Sequence, residues 1–457
     1  MPGKRFFGII LLTAVLVLTG AGCGNKVEQA AAEKVTIKVW RVFDEDDTFR
    51  DIMANYRAIH SNVSFQYRTL RFEEYQQELL KAFAAGEGPD VFSLHNTWMG
   101  EYKNLITPLP DSLTIPYTEV RGTIKKETVT VLREEPTLTQ RTLKKDYVDV
   151  VAGDVILPYQ PNPKQPPEDR IYGLPLSIDT LALFYNKDLL NAASIAEPPA
   201  NWTQFQDDVV KLSSIGANDE ILQSGAAIGT SANVERAFDI VSLLMMQNGT
   251  VMTDDRGKAV FGQPNDARQI PGADAVRFYT DFGNPLKEVY TWNASQPDSF
   301  DAFATGKTAF FFGYSYHTPL IRARAEKLNF GIAPVPQIEG GRTVNYANYW
   351  VETVAKSTKN VDWAWDFIQF AARQDQVTSY LDAAKKPPAL RVLIDSQLED
   401  EDLSVFASQL LLSESWYKGD DAAVAEDAFA QLIDDILAGV DSEEAIAQAQ
   451  NKVNQTL

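Results

Sequence analysis

The chain has 457 residues, 62 acidic against 42 basic side chains, and a formal charge of −20 at pH 7. That acidity disfavours nucleic acid and anionic lipid surfaces as partners of the folded body. Cys23 is the only cysteine, which excludes disulfides within the chain and cysteine-based metal sites, and the length supplies two or three domain-sized cores.

Residues 1–22 read as an export signal. Lys4 and Arg5 give a positive start, Phe6 to Leu18 an apolar run, and Gly20-Ala21-Gly22 small residues before Cys23. The apolar run, roughly 13 residues, is too short to span a bilayer. Cys23 in this place resembles the cysteine of the bacterial lipobox, with Gly20 standing where that motif favours Leu. The resemblance implies lipidation of Cys23, attachment to the membrane through it, and a tether over 23–34.

Val35, Ile37 and Val39 alternate with polar residues as a strand ending at Trp40, and Phe49, Ile52, Met53, Tyr56 and Ile59 follow at helical spacing behind a possible cap at Thr48. Val63, Phe65 and Tyr67 predict a second strand. Tyr75, Leu79, Leu80 and Phe83 predict a helix stopped by Gly86-Glu87-Gly88-Pro89, and Val91 to Leu94 a buried strand. This alternation predicts a parallel sheet covered by helices, hence an α/β fold. Open α/β sheets bind ligands at the carboxyl ends of their strands, which singles out Trp40 to Asp44 and His95-Asn96-Thr97-Trp98. Prolines break Thr107 to Arg170 repeatedly, and within it only Leu143 to Ile156 has a helical pattern. Leu181 to Tyr185, Ala309 to Phe312 and Phe330 to Ala333 read as further strands, and Val234 to Gln247, Val361 to Ala371 and Ala425 to Leu437 as helices.

Several segments resemble, in order, the extracellular solute-binding proteins of bacterial ABC importers, in their sugar-binding, maltose-binding-protein-like branch. They are Val35 to Arg41; Ala84-Ala85-Gly86-Glu87-Gly88-Pro89-Asp90-Val91; Tyr172-Gly173-Leu174-Pro175 with Phe184-Tyr185-Asn186-Lys187-Asp188; Pro199, Asn201 and Trp202; Phe300 to Tyr314; and Phe330 to Pro336. The resemblance implies a periplasmic-binding-protein-like fold of two α/β lobes with a ligand cleft between them and hinge crossovers. It places 35–176 and 346–392 in the first lobe and 177–345 and 393–457 in the second. It further implies capture of a small-molecule ligand, a mono- or oligosaccharide, outside the cytoplasm and delivery to an ABC transporter permease by a monomer, without catalysis or cofactor.

Sugars present hydroxyl rims and apolar faces, so aromatic and polar residues together are the candidates for ligand contact. They are Trp40, Arg41 and Asp44 after the first strand; Asn96 and Trp98 after the third; Asp179 beside the expected hinge; and Tyr314 after a buried strand. Asn348 and Trp350 lie in the return segment, whose glycines in the family are replaced here by Asn345, Asn348 and Tyr349; Arg391 and Trp416 lie in later segments. His60, His95 and His317 are far apart in sequence and predict no metal site. Three other readings stay open: the same fold binding a polyamine, metal chelate or peptide; an exported glycosidase with paired carboxylates; and a surface adhesin. No G-x-S-x-G or His-Glu-x-x-His pattern occurs.

Overall fold

A computed structural model describes residues 33–123, 125–217 and 220–457. The export signal, Cys23 and all but the last two residues of the expected tether lie outside the described residues.

The first strand is Val35–Val42, two residues longer than the sequence pattern indicates, because Arg41 and Val42 are buried and continue the pairing with Thr69 and Leu70. It sits in a five-stranded sheet in the order Val63–Leu70, Val35–Val42, Val91–His95, Trp350–Val354, Gly173–Leu174. The first three strands are parallel, as the strand–helix alternation predicts, but the last two run antiparallel to their neighbours. The sheet is therefore mixed rather than parallel. Helix Asp46–Ile59 buries Phe49, Ile52, Met53 and Tyr56. Its cap is Glu45, not Thr48, whose hydroxyl lies in the first turn and donates back to the Glu45 carbonyl at 2.8 Å. Helix Phe72–Ala85 ends at Gly86 with φ +71°, the left-handed geometry that glycine adopts without strain.

A second five-stranded sheet has the order Ser214–Ile215, Ile221–Ala226, Thr308–Gly313, Ala182–Asn186, Phe330–Pro334. Its central strand Thr308–Gly313 is fully buried, and helix Ala237–Gln247 is buried along its whole length. The C-terminal helices Ala422–Leu437 and Ser442–Val453 pack on helix Pro271–Asp281 beside this sheet.

The stretch that prolines obscured is an antiparallel hairpin, Ser112–Arg121 paired along its length with Glu127–Pro136. Pro116 and Pro136 fit because each strand of a two-stranded ribbon has a free edge where a missing N–H costs nothing. The single helix expected over 143–156 is two helices, Gln140–Asp146 and Asp149–Val155, joined at Tyr147 and Val148.

A third, three-stranded sheet lies where the chain passes between the two larger sheets. Asn345–Asn348 runs parallel to Ser413–Glu414 and antiparallel to Asp179–Thr180. A further passage runs alongside: Ile178 N–H donates to the Pro387 carbonyl at 3.2 Å, and Ser177 bridges Pro388. Among the described residues no helix is long and apolar enough to cross a membrane.

Asp179 joins this passage to the second lobe. Its Oδ2 accepts from the Ser315 hydroxyl at 2.6 Å and the Ser315 N–H at 2.9 Å, and its Oδ1 from the Thr180 N–H. Burial dominates these hydrogen bonds and pushes its carboxyl from 3.8 up to about 6. Between pH 4 and 6 the folded chain holds a proton that the unfolded chain has released, so Asp179 makes the fold more stable as pH falls from 7 to 5. Urea denaturation at the two pH values should show this gain, on the order of 1–2 kcal/mol, shrinking toward zero in Asp179→Asn.

Candidate functional site

The end of the first strand and the start of the second helix put two phenylalanines in solvent. Phe43 is 60% exposed and Phe72 is 42% exposed, and their rings stack at 6.2 Å with 14° between planes. Phe72 in turn stacks on the buried Trp98 at 6.0 Å. Trp350 meets this row edge-on, 6.3 Å from Phe43, 6.2 Å from Phe72 and 5.4 Å from Trp98. The result is an aromatic shelf with open π-faces. Exposed apolar clusters of this kind mark binding surfaces, and π-faces suit the C–H faces of a sugar.

Phe43 has φ +67°, and the Asp44 N–H donates to the Val42 carbonyl at 2.8 Å. A bulky residue in this tight turn carries strain of about 1–3 kcal/mol, which persists only where neighbours impose it. Asp44 imposes it. Its carboxylate is buried and takes Lys386 Nζ at 2.6 Å, Arg41 at 2.7 Å and the Tyr380 hydroxyl at 2.8 Å. Burial opposes its ionisation, but Lys386 and Arg41 outweigh burial and hold it down at about 2.

A polar line leads from the shelf to the second lobe. His95, against both Trp98 and Trp350, contacts the Asn348 side-chain oxygen through Nε2 at 3.1 Å. Asn348 Nδ2 donates to Asp239 at 3.4 Å. Asp239 also accepts two hydrogen bonds from Arg236, at 2.7 and 2.8 Å, and one from the Tyr314 hydroxyl at 2.6 Å. Burial lowers His95 to about 4, so it is neutral at pH 7 and one ring nitrogen is left to accept. On the second lobe Tyr316 is 39% exposed and stacks on Tyr314 at 6.1 Å. Its hydroxyl donates to Glu235 at 3.2 Å, and His317 Nε2 meets the same carboxylate oxygen at 3.2 Å. Burial opposes ionisation of Glu235, but these partners prevail and keep its carboxyl below the usual range. Arg236, with φ +61°, and Glu426 complete this wall.

The sequence candidates divide by position. Trp98, Asn348 and Trp350 join the shelf and the polar line, and Asp179 lies one strand away, held to Ser315. Arg41 and Asp44 stand directly beneath the shelf but are buried and paired with each other. Trp40 is buried within the strand under the Arg68 guanidinium, 4.6 Å from its ring. Asn96 is buried and donates to Asp154. Tyr314 has no exposed surface, and its neighbour Tyr316 is the one that faces solvent. Trp416 is packed between Phe238 and Phe429 and donates to the Ser242 hydroxyl at 3.0 Å, which makes it core. Arg391 lies elsewhere. Its Nε donates to the Tyr147 carbonyl, its guanidinium pairs with Asp149, and it lines a cavity of about 930 Å³ under the hairpin, with Leu113, Ile115 and Arg373. Phe43, Phe72, Glu235, Arg236 and Glu426 were not among the candidates. Phe43 stands between two that were, and its exposure follows from a backbone turn that no glycine announces. Among the described residues no cluster of His, Cys, Asp and Glu could hold a metal ion.

Known proteins share the sequence pattern and the fold of this chain. The model of the family "Bacterial extracellular solute-binding protein" matches residues 51–402. The galactooligosaccharide-binding protein of Bacillus subtilis (strain 168) is 21% identical over 397 residues, covering 84% of this chain and 80% of that protein. The sugar-binding protein MalE of Xanthomonas citri superposes with a TM-score of 0.68 at 18% identity, over 92% of this chain and 96% of that one. An ABC transporter solute-binding protein of Thermotoga lettingae bound with α-D-tagatose superposes with a TM-score of 0.65 at 19% identity, over 92% and 99%. With the family match spanning well over half its length, the chain belongs to the bacterial extracellular solute-binding proteins.

Proposed function

We propose that this protein captures a mono- or oligosaccharide between its lobes, outside the cytoplasmic membrane, and presents it to the permease of an ABC importer without altering it. The observation that carries the reading is the pairing of an aromatic shelf, the exposed Phe43 and Phe72 with the half-buried Trp350, with a hydrogen-bonding wall, Glu235, Arg236 and Tyr316, across the strand that holds Asn348. One side offers π-faces to the apolar faces of a sugar ring, and the other offers charged partners to its hydroxyls. The sugar ligands named for the relatives support the same class.

Sheet membership supports lobes of 35–176 with 346–392 and of 177–345 with 393–457, since the first sheet draws on Val35 to Leu174 and Trp350–Val354 and the second on Ala182 to Pro334. Closure about the three passages would give the loaded form its higher affinity and make occupancy readable by a transporter. In this reading Cys23 carries the lipid, 23–34 is the tether, and the protein works as a monomer at the outer face of the membrane.

A cationic ligand such as a polyamine is the second reading, favoured by the half-buried Glu235 and exposed Glu426 carboxylates and by the two phenylalanine faces. A thermal-shift screen of the chain from Val27 against saccharides, polyamines and peptides separates the two. The proposal expects a saturable rise in melting temperature with one sugar family. A rise with spermidine alone would replace the sugar, and release of shorter sugars from a bound oligosaccharide would restore the glycosidase reading. Calorimetry on the variants should then weaken binding by tenfold or more in Trp350→Ala and in Phe43→Ala. Trp416→Ala, in the core, should lower stability by about 3–5 kcal/mol instead.

A further inference from the structure

Lys386 occupies a position that links the shelf to the passage between lobes. Its ammonium reaches Asp44 Oδ1 at 2.6 Å, 342 residues away in sequence, and lies 3.4 Å from the Tyr380 hydroxyl. Asp44 is fixed from its other side as well. Its carbonyl accepts from the Tyr67 hydroxyl at 2.8 Å and the Thr69 hydroxyl at 2.9 Å, and its Oδ2 from Arg41 and Tyr380. Arg41 in turn pairs with Glu352 at 2.7 Å, on the strand that begins with Trp350. Two cations and two carboxylates thus form a neutral group beside the Phe43 turn, with Arg41, Asp44 and Glu352 buried and Lys386 partly exposed.

The residue after Lys386 belongs to the interlobe passage. Pro387 accepts from the Ile178 N–H, Pro388 bridges Ser177, and the Ala389 N–H donates to the Leu176 carbonyl at 3.3 Å. A displacement of this passage by a few tenths of an ångström therefore pulls on Lys386, and through Asp44 on the strained turn that presents Phe43. A surface ion pair would yield by reorienting in water; here the Asp44 carboxylate is buried and held by three donors, so a pull on Lys386 is passed to it.

We propose that the Lys386–Asp44 pair makes the ligand-facing turn and the passage between lobes move as one, so that Lys386 is a positioning residue for ligand capture. The inference rests on the capture reading given above, but the coupling itself needs no ligand to be tested.

The experiment is hydrogen exchange, read by mass spectrometry, on the full-length chain in detergent, comparing the parent with Lys386→Met and Lys386→Arg. Coupling predicts that Lys386→Met speeds exchange by tenfold or more both at the Asp44 amide and at the Ile178 and Ala389 amides, while helix Ala422–Leu437 exchanges as before. Lys386→Arg, which keeps the charge, should restore both segments together. Acceleration at one end only, or equally throughout the chain, overturns the proposal and leaves the pair as ordinary structural glue. Tyr380→Phe removes one donor without removing charge and keeps the test open if Lys386→Met does not fold; it should accelerate the same two segments, and no change at either overturns the coupling. Titration with maltotriose then reports on the capture reading separately. Binding by the parent that weakens fivefold or more in Lys386→Met supports both claims, and binding that Lys386→Met leaves unchanged overturns the positioning role.

Discussion

The carboxylate of Asp44 is the constraint on which the site depends. Taking it out of water costs several kcal/mol, and the group beneath Phe43 offsets that only because Lys386, Arg41 and Tyr380 all converge on it. Arg41 also answers Glu352, so the four charges balance and none is left alone in the core. Removal of Arg41 would leave Glu352 buried without its cation, a loss of roughly 3–5 kcal/mol. That margin exceeds the strain of the turn at Phe43, so a phenylalanine can be held in a backbone conformation it would otherwise leave.

The cleft is asymmetric in consequence. The first lobe contributes rings and hides its charges below them, and the second keeps Glu235, Arg236 and Tyr316 in reach of solvent. Asn348, on the strand between, touches His95 on one side and Asp239 on the other, so the polar line crosses the passage without a gap. The neutral state of His95 matters here. A charged imidazole at this depth would face the Arg236 guanidinium, whereas the neutral ring donates from Nε2 to the Asn348 oxygen and accepts from Thr97 at Nδ1.

Much of this was legible in the sequence where the signal is local. Alternation at Val35 to Val39, helical spacing from Phe49, and the Gly86 stop all gave the elements that place the shelf. The segments Trp40 to Asp44 and His95 to Trp98 were located by the rule that α/β sheets bind at strand ends. What sequence could not supply is direction and distance. Asp44 reads as a ligand contact until Lys386, far along the chain, is seen to occupy it. Tyr314 and Tyr316 read alike, and only the turn after the strand decides that the first is buried and the second exposed. The hairpin of Ser112 to Pro136 escaped because its prolines mimic breakers, although a two-stranded ribbon accepts them on its free edges. Arg391 depends on the same hairpin, which with the helices beside it encloses a cavity whose lining shares no residue with the shelf.

The account stands on one claim, that ligand lies between the aromatic shelf and the wall of Glu235, Arg236 and Tyr316. A crystal structure of the protein soaked or grown with the sugar that it binds tests this most directly. The account predicts a pyranose or furanose ring flat on Phe43 or Phe72, with its hydroxyls toward the second lobe. Sugar density in the cavity beside Arg391, with the shelf still open to solvent, would contradict it.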